Sequence, residues 1–403
     1  MKKPLKKENK VFVGMSGGVD SSLSAALLQE QGFDVTGVYM RNWSDDDHRH
    51  YAAASAVASN EVSGCHWEED VEDARKVAAK LHIPFYVWNF TKEYKERVVD
   101  YMIEGYKNGI TPNPDIMCNK EIKFGIFLEK ALEAGADFVA TGHYVRRGPV
   151  IASEPGERGN LALHPSEKEE IASSHRLLAM TKNTENLLLK GIDPNKDQSY
   201  FLHRITQEQL SKSLFPIGEL EKSKTREMAK ERGLHVWDKK DSQGICFIGK
   251  VKIQSFLTKR IKENPGDIIL KEEVVGKHKG LSFYTIGQRE GIEVAGPVPY
   301  YVAGKDFKNN RLILAKGNMD ESLYGKELIA IDTHWISGTE PTLPMECDGM
   351  IRYRQKPEKC LVTQQKDESL KVVFSSDQRA ITPGQSVVFY NEDECLGGAI
   401  IKE

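Results

Sequence analysis

The sequence predicts an α/β domain followed by a β-rich half. Three observations support this prediction. Up to about residue 250, short apolar runs alternate with helical patterns on short connections, which is typical of a parallel sheet. A glycine-rich turn separates the first such run from the first helix. From Gly266 onward, short β-type runs follow one another across turns, as in barrels and sandwiches. At about 150 residues per domain, 403 residues also predict two or three domains.

The first half begins with a strand over 11–15, a glycine-rich turn over 16–20 and a helix over 21–31 closed by Gly32. The pattern continues with strands over 34–39, 84–89 and 138–141 and with helices over 71–81 and 122–134. Parallel sheets bind ligands at the carboxyl ends of their strands. Those ends are predicted around Ser16, Met40, Asn89 and Gly142.

Two segments interrupt this alternation. Residues 42–76 contain nine acidic side chains against three basic ones, and residues 147–184 are rich in Gly, Pro and Ser without a clear period. Both are predicted to be surface loops or insertions.

The second half is predicted as two small β units that meet near residues 317–325. The predicted domains are therefore an α/β domain over 1–250, a central β domain over 251–318 and a barrel-like β domain over 319–403. The predicted strands cover 267–270, 281–286, 300–302, 311–315, 328–331, 350–353, 370–374 and 386–390.

Composition limits the class of protein. Hydrophobic residues make up 39% and charged residues 29%, which is typical of a folded, soluble chain. No apolar run reaches 18 residues, and the first ten residues lead into a strand, so we expect a cytoplasmic protein without a membrane partner. Six cysteines without a Cys-x-x-Cys pair do not form a disulfide scaffold. The formal charge of −3 excludes neither a nucleic acid nor a small molecule as partner.

The string from Gly14 to Ser22, GMSGGVDSS, is the strongest functional signal. Glycines let the backbone approach a ligand, and converging N–H groups, serine hydroxyls and a helix N-terminus bind phosphate oxygens. Neither a Walker lysine nor a Gly-x-Gly-x-x-Gly fingerprint follows this strand. The string therefore predicts a pyrophosphate-binding loop of another type.

Two further strings each contain a cysteine. In TPNPDIMCNKEIKF, residues 111–124, Asp115 and Cys118 lie three residues apart at a predicted helix start and so share a face. The helix N-terminus and nearby lysines favour a thiolate at Cys118. In DSQGICFIG, residues 241–249, apolar residues flank Cys246. Taken alone, both patterns are also typical of buried packing cysteines.

The loop string resembles the PP-loop of the N-type ATP pyrophosphatases, whose members transfer AMP to a substrate oxygen and release pyrophosphate. With the two cysteine strings, and with GHY at 142–144, PNKDQSYFL at 194–202, TIGQR at 285–289, RYR at 352–354 and TPGQ at 382–385, the chain resembles the tRNA-specific 2-thiouridylase family. The resemblance spans nearly the whole chain and implies an adenine nucleotide alpha hydrolase-like first domain. The acidic stretch after Trp43 and the segment 147–184 look longer than usual for the family.

The resemblance implies ATP-dependent 2-thiolation of the wobble uridine in tRNA. The uracil C2 oxygen is adenylated, and sulfur then arrives from a persulfide on Cys246. Cys118 releases that sulfur and ends in a disulfide with Cys246, while Asp115 acts as general base or proton shuttle. A persulfide carrier or a cysteine desulfurase supplies the sulfur. A route in which Cys118, Cys246 and a third ligand hold an iron–sulfur cluster needs the same thiolates and stays open.

The resemblance also implies the binding residues. ATP, with Mg²⁺, is expected at Gly14, Met15, Ser16, Gly17, Gly18, Val19, Asp20, Ser21, Met40 and Gly142. Contacts with tRNA are expected at Asn113, Pro114, Asp115, His143, Lys196, Asp197, Gln198, Arg352, Tyr353 and Gln385. Residues 250–280, called here the basic strip, hold eight Lys and Arg against four acidic residues, a net +4 suited to phosphates.

Two other classes share parts of this pattern. An amide-forming ligase has the same loop but needs neither paired cysteines nor an RNA surface. A non-catalytic RNA-binding module has no use for Asp20, Cys118 and Cys246.

Overall fold

The computed structural model describes residues 9–43, 67–149, 186–241 and 253–402. Within these ranges the chain forms a parallel sheet, a small mixed sheet and a barrel. The strands are β1 Lys10–Gly14, β2 Asp34–Arg41, β3 Phe85–Asn89, β4 Phe138–Ala140, β5 Val145–Pro149, β6 Asn186–Lys190, β7 Ser213–Leu214, β8 Gly266–Leu270, β9 Glu273–His278, β10 Tyr300–Asp306, β11 Arg311–Lys316, β12 Tyr324–Trp335, β13 Met345–Met350, β14 Glu358–Gln364, β15 Leu370–Arg379, β16 Ser386–Asn391 and β17 Glu394–Ile401.

The helices lie mostly in the first half. They are α1 Val19–Glu30, α2 Trp67–Leu81, α3 Thr91–Tyr94, α4 Asp100–Lys107, α5 Pro114–Met117, α6 Phe127–Glu133, α7 Ser199–Leu202, α8 Gln207–Ser211, α9 Lys222–Glu231 and α10 Ile253–Thr258. Two π-helical segments, Lys95–Val99 and Cys118–Ile126, join α3 to α4 and α5 to α6. Short 3₁₀ turns occupy Leu281–Phe283 and Glu321–Leu323. None of the helices in the described ranges is both long and apolar enough to cross a membrane.

The first domain contains a five-stranded sheet in the order β3-β2-β1-β4-β7, and its pairings are all parallel. Its central strand β1 is buried on both faces. Val11 and Val13 belong to one apolar cluster, whereas Phe12 points into another. A strand covered on both sides reads as a continuous apolar run, which explains why the sequence pattern identified it. The predicted parallel α/β domain is confirmed.

The two predicted surface segments need correction at their edges. Helix α2 begins at Trp67, so residues 67–76 of the acidic segment are helical rather than loop. Three acids in its first turn suit the positive end of the helix dipole, and Val71, Ala74 and Val77 face the core. In the second segment, residues 147–149 belong to strand β5. The remainder of both predicted loops, from 44 to 66 and from 150 to 184, lies outside the described residues.

The central unit is a four-stranded sheet in the order β10-β11-β8-β9. Its buried residues Ile268, Val302 and Leu312 share one apolar cluster with Tyr94 and Met102 of the first domain. The predicted strand over 281–286 is wrong, because residues 281–283 form a 3₁₀ turn. The apolar side chains there are buried without being paired in a sheet.

The last unit is a six-stranded barrel. Its strands follow the order β12-β15-β14-β13-β16-β17, and a further pairing between β12 and β17 closes the ring. The predicted strand over 350–353 is wrong: β13 ends at Met350 and bends follow. The hairpin β5–β6 of the first domain extends the same sheet, because Leu189 of β6 pairs with Glu394 of β17. The predicted barrel-like third unit is confirmed.

Candidate active site

The glycine-rich loop connects β1 to α1. Inside it, the Ser16 amide donates to the Ser21 hydroxyl (3.1 Å), and the Ser22 hydroxyl donates to the Gly18 carbonyl (2.8 Å). Gly18 is the N-cap of α1, and no side chain caps the helix. The first amides of a helix have no partner within the helix. The loop thus offers donors and a positive helix end to an anion.

Close approaches, two of them to backbone atoms, surround three glycines of this site. A Cβ on Gly17, whose φ is +74°, would lie 2.3 Å from the carbonyl oxygen of Asp70 in α2. A Cβ on Gly142 would lie 2.6 Å from the Ser21 amide nitrogen, and one on Gly14 would lie 2.9 Å from Met40 Cε. The carboxyl ends of β1, β2 and β4 therefore meet at the loop. The structure brings together the predicted ATP positions Gly14, Met15, Ser16, Gly17, Gly18, Val19, Asp20, Ser21, Met40 and Gly142.

Asp20, the second residue of α1, takes part in a polar network. Its carboxylate accepts hydrogen bonds from Lys222 Nζ (2.8 Å to each oxygen) and from the Tyr144 hydroxyl (2.7 Å). Burial, followed by the charge of Asp20, raises the pKa of Tyr144, so that hydroxyl keeps its proton and donates. The Asp20 carboxylate, one of the positions predicted to bind ATP, thus holds the Lys222 ammonium group beside the loop.

A second carboxylate, Asp241, completes this network. Its oxygens lie 2.8 Å from Lys222 Nζ, 2.5 Å from Lys196 Nζ and 3.3 Å from Arg226 Nη2. Burial raises the pKa of Asp241, but hydrogen bonds and charge from Lys196 and Lys222 outweigh it and lower that pKa to about 2. We call Asp20, Lys196, Lys222, Arg226 and Asp241 the charged network. It holds three cations and two anions.

The predicted catalytic helix begins at Pro114. The Asn113 side chain caps it by accepting from the amides of Asp115 (3.1 Å) and Ile116 (3.2 Å). Cys118 is the first residue of the π-helical segment, and it is fully buried. Cys118 lies in the same apolar cluster as Met40 and Phe127. Gly14, the last residue of β1, lies near both of these residues, because a Cβ on it would lie 2.9 Å from Met40 Cε and 3.7 Å from Phe127 Cε1.

The barrel touches the start of this helix directly. The Thr111 amide donates to the Pro383 carbonyl, and the Gln385 side-chain amide donates to the Thr111 carbonyl, both at 2.8 Å. Asn113 Nδ2 lies 3.5 Å from Gln385 Oε1. Gly384 adopts a φ of +91°, and a Cβ there would lie 2.8 Å from the Thr111 amide nitrogen. The third unit thus fixes the segment that carries Asp115 and Cys118.

The predicted RNA contacts at 196–198 all have internal partners. Lys196 belongs to the charged network. Asp197 accepts from the amides of Gly191 (2.9 Å) and Ser199 (3.1 Å), and burial raises its pKa. Gln198 accepts from the Tyr144 amide (3.0 Å) through its side chain. These contacts order the segment beside the loop and leave its role toward RNA a prediction.

Five more of the predicted RNA contacts lie where the barrel meets the other two units. Arg352 Nη2 donates to the carbonyls of Ile286 (3.2 Å) and Ala380 (2.8 Å), which links the central unit to the barrel. The Tyr353 ring lies 4.4 Å from the Phe201 ring, centroid to centroid. Asn113, Pro114 and Gln385 lie at the joint between the first domain and the barrel.

His143 is buried beside Lys123. Burial, and then the charge of Lys123, lower the pKa of His143 well below its usual value, so the ring is neutral. Lys123 Nζ lies 3.4 Å from His143 Nε2 and can only donate, so Nε2 accepts. Nδ1 therefore carries the proton and donates to the Thr141 hydroxyl at 2.8 Å.

One predicted catalytic residue and part of the basic strip lie outside the described residues. They are Cys246 and residues 250–252. In the rest of the strip, Lys277 pairs with Asp267 (2.5 Å) and Lys279 pairs with Glu293 (3.1 Å). Nearby acids therefore neutralise part of its positive charge. In the described part of the chain, no three His, Cys, Asp or Glu side chains cluster closely enough to hold a metal ion.

Sequence reasoning missed the roles of Lys222, Tyr144 and Asp241. Tyr144 and Asp241 stood inside motif strings, but no chemistry was assigned to either. Lys222 is the first residue of an ordinary charged helix, and its partner Asp20 lies 202 positions away. No local pattern marks such a pair. Only the folded chain brings the Lys222 ammonium group next to Asp20.

The fold and the site define a three-unit, PP-loop nucleotide-binding protein. Residues 9–250 match the family described as the tRNA methyl transferase HUP domain, residues 254–316 its PRC-barrel domain, and residues 325–401 the aminomethyltransferase beta-barrel domain. Proteins named tRNA-specific 2-thiouridylase match 98–99% of the chain at 43–46% identity, so the chain belongs to the tRNA-specific 2-thiouridylase family.

Three relatives named tRNA-specific 2-thiouridylase MnmA illustrate this membership. The chain is 43% identical to the protein of Marinomonas sp. over 404 residues, which is 99% of this chain and 92% of the relative. It is 46% identical to that of Psychromonas ingrahamii, covering 98% and 97% of the two chains. It is 44% identical to that of Geobacillus thermodenitrificans, covering 98% and 95%.

Proposed function

We propose that this chain is an ATP-dependent sulfurtransferase that replaces the C2 oxygen of the wobble uridine in tRNA by sulfur. The observation that carries the proposal is that Cys118 shares one apolar cluster with Met40 and Phe127, the residues nearest to Gly14 at the start of the loop string, in a chain whose relatives are named tRNA-specific 2-thiouridylase. The proposal places a nucleotide at the loop and a uracil near Asp115 and Cys118.

The reaction begins with adenylation. The uracil O2 attacks the α-phosphorus of ATP, and pyrophosphate leaves. The helix end and the loop amides stabilise the phosphate charge, and Mg²⁺ enters as the partner of ATP. The C2 oxygen, a poor leaving group by itself, is now part of AMP. Asp115, which lies in the first turn of the capped helix, accepts or relays the proton.

Sulfur transfer follows from a persulfide on Cys246. The terminal sulfur attacks C2, and AMP leaves with the former uracil oxygen. The Cys118 thiolate then attacks the Cys246 sulfur, breaks the sulfur–sulfur bond and releases 2-thiouridine. The two cysteines end as a disulfide, which a thiol reductant returns to two thiols. A persulfide carrier or cysteine desulfurase reloads Cys246.

The tRNA lies across the joint between the first domain and the barrel. We assign its contacts to Asn113, Pro114, Asp115, His143, Lys196, Asp197, Gln198, Arg352, Tyr353 and Gln385. The hydrogen bonds between residues 111–113 and 383–385 support this assignment. An RNA bound to this part of the barrel would contact a segment that is hydrogen-bonded to the start of the catalytic helix. We also propose domain boundaries after residue 250 and after residue 318.

The test is single-turnover transfer of labelled sulfur to a tRNA transcript by the full chain. We expect Cys246→Ser to stop thiolation but still release pyrophosphate, and Cys118→Ser to block turnover while Cys246 remains loadable. Cys395→Ser is the matched control, because Cys395 is also a buried free thiol but lies in the barrel. Full thiolation by both active-site variants would refute the sulfur route. Iron bound to anaerobically purified protein would favour the cluster route instead.

A further inference from the structure

We propose that Lys222 is a nucleotide-binding residue that recognises the β- and γ-phosphates of ATP, with Asp241 as its anchor. The inference rests on the proposed ATP-dependent function and deepens it. The lysine that contacts these phosphates in Walker-type proteins lies within the loop, but the string from Gly14 to Ser22 contains no lysine. A triphosphate bound there needs a cation from another part of the chain.

The position of Lys222 meets this need. Its Nζ lies 2.8 Å from both carboxylate oxygens of Asp20, next to Ser21 at the N-terminus of α1. The side chain is 12% exposed, so its cation lies at the edge of the interior, where Coulomb interactions are stronger than in bulk water. The Lys222 backbone amide donates to Asp193 (3.0 Å), which fixes the start of its helix.

Carboxylates hold the cations near the loop before any ligand binds. The charged network contains three cations and two carboxylates, and a third carboxylate, Asp193, accepts from the Lys222 backbone amide. Arg226 is additionally held by the carbonyls of Trp237 (3.0 Å) and Lys239 (2.9 Å), and Lys196 bonds only the far oxygen of Asp241. Among the three cations of the charged network, Lys222 is the one with a described ion pair to Asp20, the acidic residue of the loop. Asp20 and Asp241 hold its ammonium group in place before the nucleotide arrives.

The test compares MgATP with AMP, since AMP lacks the β- and γ-phosphates. Calorimetric titration of the full chain without RNA measures both dissociation constants. We expect Lys222→Gln to weaken MgATP binding at least tenfold and AMP binding less than twofold, and we expect Lys222→Arg to recover most of the loss. Lys224→Gln, two residues along the same helix and paired with Glu227 at the surface, is the matched control.

The outcomes separate a binding role from a structural one. Unchanged MgATP affinity in Lys222→Gln overturns the inference, as does an equal loss for AMP, which would mean that Lys222 only shapes the loop. If Lys222→Gln does not fold, Asp241→Asn releases the anchor while keeping the lysine. It should weaken MgATP severalfold and leave AMP unchanged, and no change in MgATP affinity overturns the inference. Wild-type protein that binds MgATP but never thiolates tRNA would refute the proposed function alone.

Discussion

Gly142→Ala tests whether the end of β4 shapes the nucleotide loop. The added Cβ would lie 2.6 Å from the Ser21 amide nitrogen and 2.8 Å from the Asp20 carbonyl carbon. Both atoms are backbone at the start of α1, so no side chain can rotate away to make room. Ordinary contact begins near 3.4 Å, so β4 and the helix start must separate by about 0.8 Å, the difference between 3.4 and 2.6 Å.

That displacement affects the donors that the loop offers to phosphate. Overpacking of one methyl group costs about 1 to 3 kcal/mol. If the cost falls on the nucleotide-binding conformation, it weakens MgATP binding roughly 5- to 150-fold. Pyrophosphate release should fall further, because misplacement by about 1 Å costs up to about 100-fold in a reaction that depends on alignment.

The measurements are MgATP affinity and RNA-dependent pyrophosphate release. Gly304→Ala is the control, because a Cβ at Gly304 meets its nearest neighbour at 3.8 Å and lies in the central unit. We expect the control to match the wild type. MgATP affinity within twofold of the wild type in Gly142→Ala would show that the contact does not shape the site.

Three further predictions address the loop acid, a buried histidine and the basic strip. Asp20→Ala should abolish RNA-dependent pyrophosphate release, because Lys222 loses its partner at the loop; normal release would remove Asp20 from the site. Burial is the largest cause that lowers the pKa of His203 to about 3, so the folded state keeps it neutral while the unfolded state binds a proton below about 6.5. Stability is therefore full above pH 6.5 and falls toward pH 3, by about 2 kcal/mol at pH 5. From pH 8 to pH 5, the free energy of unfolding measured in urea should fall by about 2 kcal/mol less in His203→Phe than in the wild type. Equal decreases in the two proteins would contradict the reasoning. Replacing Lys259, Lys262 and Lys271 by Gln should weaken tRNA binding and flatten its salt dependence; an unchanged salt slope would mean that these lysines do not meet phosphate.

Local sequence patterns were sufficient for the sheet and the loop. The run over 11–15 is apolar because β1 is buried on both faces, and the glycines after it are needed where backbone meets backbone. The predicted strand over 281–286 failed for a physical reason. Leu281 and Phe283 are as buried as strand residues, but they turn in a 3₁₀ helix after Gly280. Apolar spacing records burial, and over so short a run it does not determine the backbone conformation.

Local sequence patterns could not predict the charged network or the contacts between the barrel and the first domain. Lys222 and Asp20 are 202 residues apart, and Gln385 and Thr111 are 274 apart. A hydrogen bond at that separation depends on how whole units pack. The sequence resemblance placed Gln385 near RNA, and the structure adds its contact with the catalytic segment.

The β5–β6 hairpin has a consequence for how the chain is made. Its sheet neighbour on the barrel side is β17, and the paired residues Leu189 and Glu394 are 205 positions apart (394 − 189). A ribosome adding about 5 to 20 residues per second needs roughly 10 to 40 s to synthesise that interval. During this time β17 has not been synthesised, so the edge of β6 that pairs with it is exposed. Its unpaired backbone N–H and C=O groups can then form hydrogen bonds with strands of other chains. Nascent chains stalled between residues 190 and 394 should therefore depend on holding chaperones more than the finished protein does.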